Sequence, residues 1–240
     1  MQKGLSSARL LIVQTGSTHL HGDYPRWFER ALGFEMPVVR AHAGEKLGPA
    51  LVRMRPQGII VSGSPLSVTE KAPWMLELGE DLLKAGAAGT QVLGVCFGHQ
   101  LLARAAGGEV VQNPRGREIG TVRVQLTEAG REDPLFASWA RSPEIEVQAT
   151  HLDAVDPLPP GATVLASNEN TAVQAFRLSE TVAGVQFHPE LWAQAMCDLI
   201  ESRRDKLASE GRDAGELVEH VREVEAGAVL RAFARQALRA

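Results

Sequence analysis

Residues 91–100 read Gln91-Val-Leu-Gly-Val-Cys-Phe-Gly-His-Gln100. An apolar run of strand length, Gln91 to Val95, leads into a helical pattern over Gln100 to Ala106 that Gly107-Gly108 stops. A strand that turns into a helix around Gly94-Val-Cys-Phe-Gly98 reads as a nucleophile elbow with cysteine in place of serine. The glycines answer a physical need. The turn is so sharp that a side chain at either one would collide with the opposite arm, and the residue between them is held in strained backbone. Cys96 then sits at the positive end of a helix, and the Phe97 N–H points toward any oxyanion that forms there. A buried core cysteine would suit the same apolar neighbours, but the strand before it and the helix after it favour the nucleophile.

The same texture recurs outward from this stretch. Arg9 to Val13, Gly58 to Val61 and Val182 to Phe187 are short apolar runs ending in small or polar residues, as buried strands do. Tyr24 to Leu32 and Pro73 to Ala85 carry helical spacing, the second with proline at its first turn. Strands alternating with helices predict an α/β fold, an open, mostly parallel twisted sheet with helices on both faces. From Glu118 to about Gln174 the texture changes. Thr121 to Leu126 and Glu144 to Ala149 alternate apolar with polar, which predicts a small antiparallel portion wet on one face. Ala162 to Ala166 and Ala172 to Phe176 read as two more strands pairing across Ser167 to Thr171. Beyond Glu190 the pattern is helical, over Leu191 to Leu199 and in one further helix over Leu217 to Leu238. The expected division is a domain over residues 1–200 and a helical C-terminal extension over 201–240 packed on that domain.

Composition narrows the function. The 240 residues carry 25 Lys+Arg against 29 Asp+Glu, a net charge of −4, which gives no electrostatic case for nucleic acid or an anionic membrane as partner. Hydrophobic residues at 44% and charged residues at 22% are those of a globular chain. Two cysteines, Cys96 and Cys197, exclude a disulfide-dense scaffold and suit a reducing cytosol. Met1 to Ser7 has no apolar stretch, Leu10 to Val13 is too short for a signal peptide, and no run approaches the roughly 18 apolar residues of a membrane span. The expectation is a cytoplasmic protein. His19-x-His21 lacks a third ligand, so no metal and no cofactor is expected.

A thiol nucleophile needs a base, and histidine is the usual one. Of seven histidines, His99 lies on the helix leaving the elbow and should project away from the sulfur. His188 follows directly on the strand Val182 to Phe187, at a strand carboxyl end where open α/β sheets place their sites. Pro189 sets the chain direction, and Glu190 is placed to orient the imidazole. Cys96, His188 and Glu190 then fill the roles of nucleophile, base and orienter. Cys197, beside Met196 and Leu199, reads as core packing.

Gly94-Val-Cys-Phe-Gly-His-Gln100 with Gly184-Val-Gln-Phe-His-Pro-Glu190 resembles the class I (triad) glutamine amidotransferases. The resemblance is closest to the glutaminase domain of GMP synthase and its stand-alone relatives. It runs from about Leu10 to Ile200. It implies a flavodoxin-like fold and a γ-glutamyl thioester on Cys96. It also implies that Gly63, in Val61-Ser-Gly-Ser-Pro65, adds its N–H to that of Phe97 in an oxyanion hole. Gln100 matches the family glutamine that contacts the substrate's amino-acid end. Thr150-His-Leu-Asp153 matches a Ser-His-Gly-Asp segment that holds the same end through its backbone, with Thr150, His151 and Asp153 in matching places and Leu152 departing from glycine. Arg117-Glu-Ile-Gly120 resembles a segment beside the pocket, Ile119 replacing an aromatic.

No phosphate-cradling glycine loop accompanies these motifs; Ser62-Gly-Ser-Pro65 has neither the length nor the Lys-Ser/Thr of one. Three readings follow. The first is a glutaminase that hydrolyses glutamine to glutamate and ammonia, a separate synthetase subunit accepting the ammonia. The second is a γ-glutamyl peptidase or hydrolase acting on γ-glutamyl conjugates, with Thr15 to Asp23 lining the departing-group region. The third is a non-catalytic or redox-sensing α/β protein.

Overall fold

The computed structural model describes residues 9–239. The Met1 to Ser7 stretch read above for a leader, and Ala240, lie outside the described residues. All four apolar runs are strands. The first half of the chain forms β1 (Leu10–Gln14), α1 (Asp23–Leu32), β2 (Val38–Arg40), α2 (Leu47–Met54), β3 (Gly58–Val61), α3 (Pro73–Ala87), β4 (Gln91–Val95) and α4 (Phe97–Ala105). The second half forms β5 (Val110–Gln112), β6 (Glu118–Leu126), α5 (Glu128–Glu132), β7 (Glu144–His151), β8 (Asp153–Val155), β9 (Thr163–Ser167), β10 (Ala175–Arg177) and β11 (Val182–Val185). Four helices close the chain: α6 (Ala193–Ser202), α7 (Arg204–Ser209), α8 (Ala214–Glu219) and α9 (Gly227–Ala237).

Nine strands make one sheet in the order β2-β1-β3-β4-β11-β10-β9-β6-β7. The first five are parallel, and the remainder join antiparallel. A separate β5–β8 ladder is antiparallel as well. The fold is the open, mostly parallel α/β sheet that the sequence predicts, its parallel part in flavodoxin-like order.

Side chains alternate across the parallel strands into two cores. Leu10 and Ile12 of β1 and Ile60 of β3 pack on one face with Phe28 of α1 and with Val229, Leu230 and Phe233 of α9. Leu11, Val13, Ile59 and Val61 pack on the other with Leu47 of α2, Leu78 and Leu82 of α3 and Leu101 of α4. Burial on both faces is why these runs are apolar throughout. In β6, Val124 and Leu126 are buried while Arg123 and Gln125 are exposed, the one-sided burial that alternation implies.

The tail departs from expectation. The single helix read over Leu217 to Leu238 is two, α8 and α9, with a non-helical link between them. Arg222 in that link donates its N–H to Thr121 Oγ1 at 2.9 Å, and its carbonyl accepts from Gln148 Nε2 at 2.8 Å. Side chains of β6 and β7 thus satisfy backbone groups that a continuous helix would satisfy internally, and the helix stops. Cys197 also differs from its reading: it is only partly buried, between buried Met196 and Leu199 on α6. Among the described residues no helix is long and apolar enough to cross a membrane.

Candidate active site

The loops leaving β1, β3, β4 and β11 meet at the carboxyl ends of the parallel strands, where open α/β sheets place their sites. Cys96 stands between β4 and α4 with φ 50° and ψ −99°, a backbone that an L-residue adopts only under constraint. The constraint is visible. Its N–H donates to the Val185 carbonyl at 2.9 Å, and its carbonyl accepts from the Gln100 N–H at 3.1 Å. A Cβ on Gly94 would lie 2.4 Å from the Gly98 carbonyl, and one on Gly98 would lie 2.6 Å from the Val61 carbonyl oxygen. Both arms of the elbow therefore need glycine. Cys96 keeps 7% of its surface exposed.

His188 is buried, and its backbone N–H donates to the Gln148 carbonyl of β7 at 2.7 Å, which fixes it beneath the elbow. Its Nδ1 lies 2.7 Å from Glu190 Oε1. Its Nε2 makes no hydrogen bond among the described residues. Burial opposes the imidazolium, but the Glu190 carboxylate and the neighbouring Cys96 outweigh it and raise the His188 pKa well above its ordinary 6.5. His99 occupies a different place: its ring is fully buried against Phe176, away from the sulfur, and burial lowers its pKa to about 3.

Gly63 touches this pair directly. A Cβ there would come within 2.7 Å of His188 Cε1. Its carbonyl accepts from Thr15 Oγ1 at 3.1 Å and Ser62 Oγ at 2.8 Å, which turns the peptide. Neither the Gly63 N–H nor the Phe97 N–H has a protein acceptor among the described residues. Two free donors thus flank the elbow.

An open cleft of about 360 Å³ runs from Cys96 and Phe97 past Gln100 to Arg117, Thr150, Asp153 and Arg203. That size falls in the roughly 300–1,000 Å³ range of small-molecule sites. Gln100 donates from Nε2 to the Asp153 carbonyl at 2.9 Å and to Gln186 Oε1 at 3.1 Å, so it ties α4 to β8 as well as lining the cleft. Thr150 Oγ1 accepts from the Arg203 guanidinium. Ser64 to Ser67 and Thr69 also line the cleft. Thr15 to Asp23 stands behind that loop, where a Cβ on Gly16 would meet Ser64 and Pro65 at 2.5 Å.

His151 also lines the cleft, but its ring is turned into the protein. Its Nδ1 is 3.0 Å from the Asp153 carbonyl and its Nε2 is 3.0 Å from Glu118 Oε2. Asn168 and Gln174 also donate to the Glu118 carboxylate. Burial alone would raise the Glu118 pKa, but His151, Asn168 and Gln174 together hold it below its ordinary 4.5. A lowered folded pKa gives stability that is present above 4.5 and lost as pH falls below it. The melting temperature is therefore expected to drop more steeply below pH 4.5 in the parent protein than in Glu118→Gln. Equal slopes in a pH series of thermal melts would contradict this.

Sequence reading missed Gln148 and Arg203, and the bonding of Thr15 to Ser62. Thr15 and Ser62 hydrogen-bond side chain to backbone at 3.0 Å across two loops, an arrangement without periodicity to betray it.

Comparison with known proteins identifies the family. The family model described as glutamine amidotransferase class-I matches residues 29–200. The chain is 36% identical over 196 residues, 80% of its length, to a glutamine-hydrolysing GMP synthase of Aeropyrum pernix, of which it spans only 34%. It is 34% identical over 192 residues to the glutamine amidotransferase-like protein YfeJ of Salmonella typhimurium, covering 78% of this chain and 77% of that one. In fold it resembles a glutamine amidotransferase of Thermotoga maritima, with a TM-score of 0.77 at 24% identity over 97% of this chain and 99% of the other. Because the family match runs from within α1 to within α6, well over half of the chain, the chain belongs to the class-I glutamine amidotransferases.

Proposed function

We propose that the protein hydrolyses the side-chain amide of glutamine to glutamate and ammonia through a γ-glutamyl thioester on Cys96. The observation that carries this is the His188–Glu190 pair, 2.7 Å apart and buried, with the second ring nitrogen unbonded beside a cysteine at a strained elbow. His188, its pKa raised, already holds the thiol proton, and the Cys96 thiolate attacks the amide carbon. The carbonyl oxygen, now negative, accepts hydrogen bonds from the free N–H groups of Gly63 and Phe97. The raised pKa of His188 holds the proton until the nitrogen departs with it as ammonia. Water, deprotonated by the same ring, then attacks the thioester and releases glutamate and the thiol. Glu190 keeps the ring in the tautomer and orientation these steps need.

Thr150 and His151 with Gln100 form the wall that receives the amino-acid end of the substrate. Residues up to 200 form the amidotransferase domain, and 201–240 form an extension whose α9 shares the core of β1 and β3. The ammonia goes to a separate synthetase subunit, by analogy with the GMP synthase relative, of which this chain matches a third.

The test offers glutamine, γ-glutamyl dipeptides and glutathione to purified protein and measures ammonia and glutamate. Release from glutamine supports the reading. Glutamate released only from the conjugates would replace it with a γ-glutamyl hydrolase. Gly63→Ala gives a second check. The added methyl displaces His188, so activity is expected to fall roughly 100-fold with the circular dichroism spectrum unchanged. Undiminished activity would remove Gly63 from the site.

A further inference from the structure

We propose that Arg203 binds the α-carboxylate of the γ-glutamyl substrate, the one carboxylate that glutamine and every γ-glutamyl amide share. The inference rests on the glutaminase reading and adds a residue that lies beyond the motifs which carry it. Arg203 stands at the α6–α7 junction and lines the cleft together with Cys96 and Thr150. Its guanidinium donates to Thr150 Oγ1, which aims it along the wall of the cleft.

What sets Arg203 apart is that no carboxylate among the described residues pairs with it directly. The other guanidinium in the cleft, that of Arg117, forms a two-pronged pair with Glu210 at 2.8 and 3.0 Å. The carboxylate of Asp153, also on the wall, accepts from Ser67. Arg203 pairs with no carboxylate among the described residues. Burial disfavours its charged form and outweighs the support of Tyr24, Cys96 and Glu210, while the charge of Arg117 adds to the penalty. A partly buried cation held in a reaction cleft by one neutral hydroxyl is incompletely satisfied, and a planar carboxylate is the group its fork matches best. The Arg117–Glu210 pair also fixes the end of α7 against the start of β6, so the junction carrying Arg203 is braced from outside the cleft.

The experiment crosses two enzymes with two amides. Glutamine carries the α-carboxylate; 4-aminobutanamide is the same molecule without it. Arg203→Met is expected to lower kcat/KM for glutamine roughly 10- to 100-fold, mainly through KM, and to lower it for 4-aminobutanamide by at least tenfold less. Arg203→Lys keeps the charge without the fork and should recover part of the loss. Equal losses on both amides would make Arg203 merely structural and overturn the proposal, as would no loss. A loss seen with γ-glutamylglycine but not with γ-glutamylglycinamide would put the arginine on the departing side, which also overturns it. Calorimetric binding of L-glutamine and 4-aminobutanamide to Cys96→Ala protein, with and without Arg203→Met, separates this from the reaction itself. If no amide is hydrolysed, the glutaminase reading fails, yet loss of glutamine binding on Arg203→Met still upholds the carboxylate site. Indifference to the substitution, or no glutamine binding with Arg203 intact, rejects it. Thermal melts of each variant check folding.

Discussion

Cys96→Ala is expected to abolish glutamine hydrolysis, lowering kcat by roughly 10⁴-fold or more. The thioester route has no substitute for the sulfur, because the second cysteine, Cys197, lies on α6 outside the cleft. Alanine keeps the Cβ, so the elbow at φ 50° bears the same strain and the hydrogen bonds to Val185 and Gln100 persist. The variant should therefore melt within a few degrees of the parent while losing its chemistry. Cys96→Ser should be similarly inactive, since a hydroxyl is a far weaker nucleophile under a base matched to a thiol. Full activity in either variant would sink the mechanism.

His188→Ala is expected to lose nearly as much, and for two reasons that separate in measurement. It removes the group that carries the proton in both half-reactions, which should reduce kcat by roughly 10³- to 10⁵-fold. It also strands the Glu190 carboxylate, whose side chain is 0% exposed. Breaking a buried pair from one side costs about 3–5 kcal/mol, so the melting temperature should fall as well. Glu190→Gln is milder, because an amide oxygen still accepts from Nδ1 and only the charge is lost. The sign of its pH dependence follows from the raised His188 pKa. A raised folded pKa gives stability that is full below 6.5 and fades as pH rises through the folded value. The parent should therefore exceed Glu190→Gln in stability most clearly below pH 6.5, with the gap narrowing at alkaline pH. A gap that widens with pH would reverse the assignment of the pair.

The elbow and the place of His188 were legible because their signals are local. Gly94 and Gly98 are needed by contacts of 2.4 and 2.6 Å that form within one strand–helix turn and its neighbouring strand, and glycine at such spacing marks them. His188 was legible because a buried strand announces its own carboxyl end. The parallel strands were legible because two-sided burial makes them apolar at every position. The tail was not, because what ends α8 is a set of hydrogen bonds from Thr121 and Gln148, side chains of distant strands. Arg203 was invisible for the same reason. In sequence it reads as one more solvated cation, and only the fold brings it to Thr150 and the cleft. Gln100 was read as a substrate contact from the motif alone; its bonds to Asp153 and Gln186 show that it braces the wall.

The most direct test of the central claim is the mass of the protein itself during turnover. Protein mixed with excess glutamine and quenched in acid should carry one added γ-glutamyl group, mapped to the peptide containing Cys96 and absent from Cys96→Ala. Glutamate released at the parent rate with no adduct on Cys96, or with hydrolysis persisting in Cys96→Ala, would contradict the account.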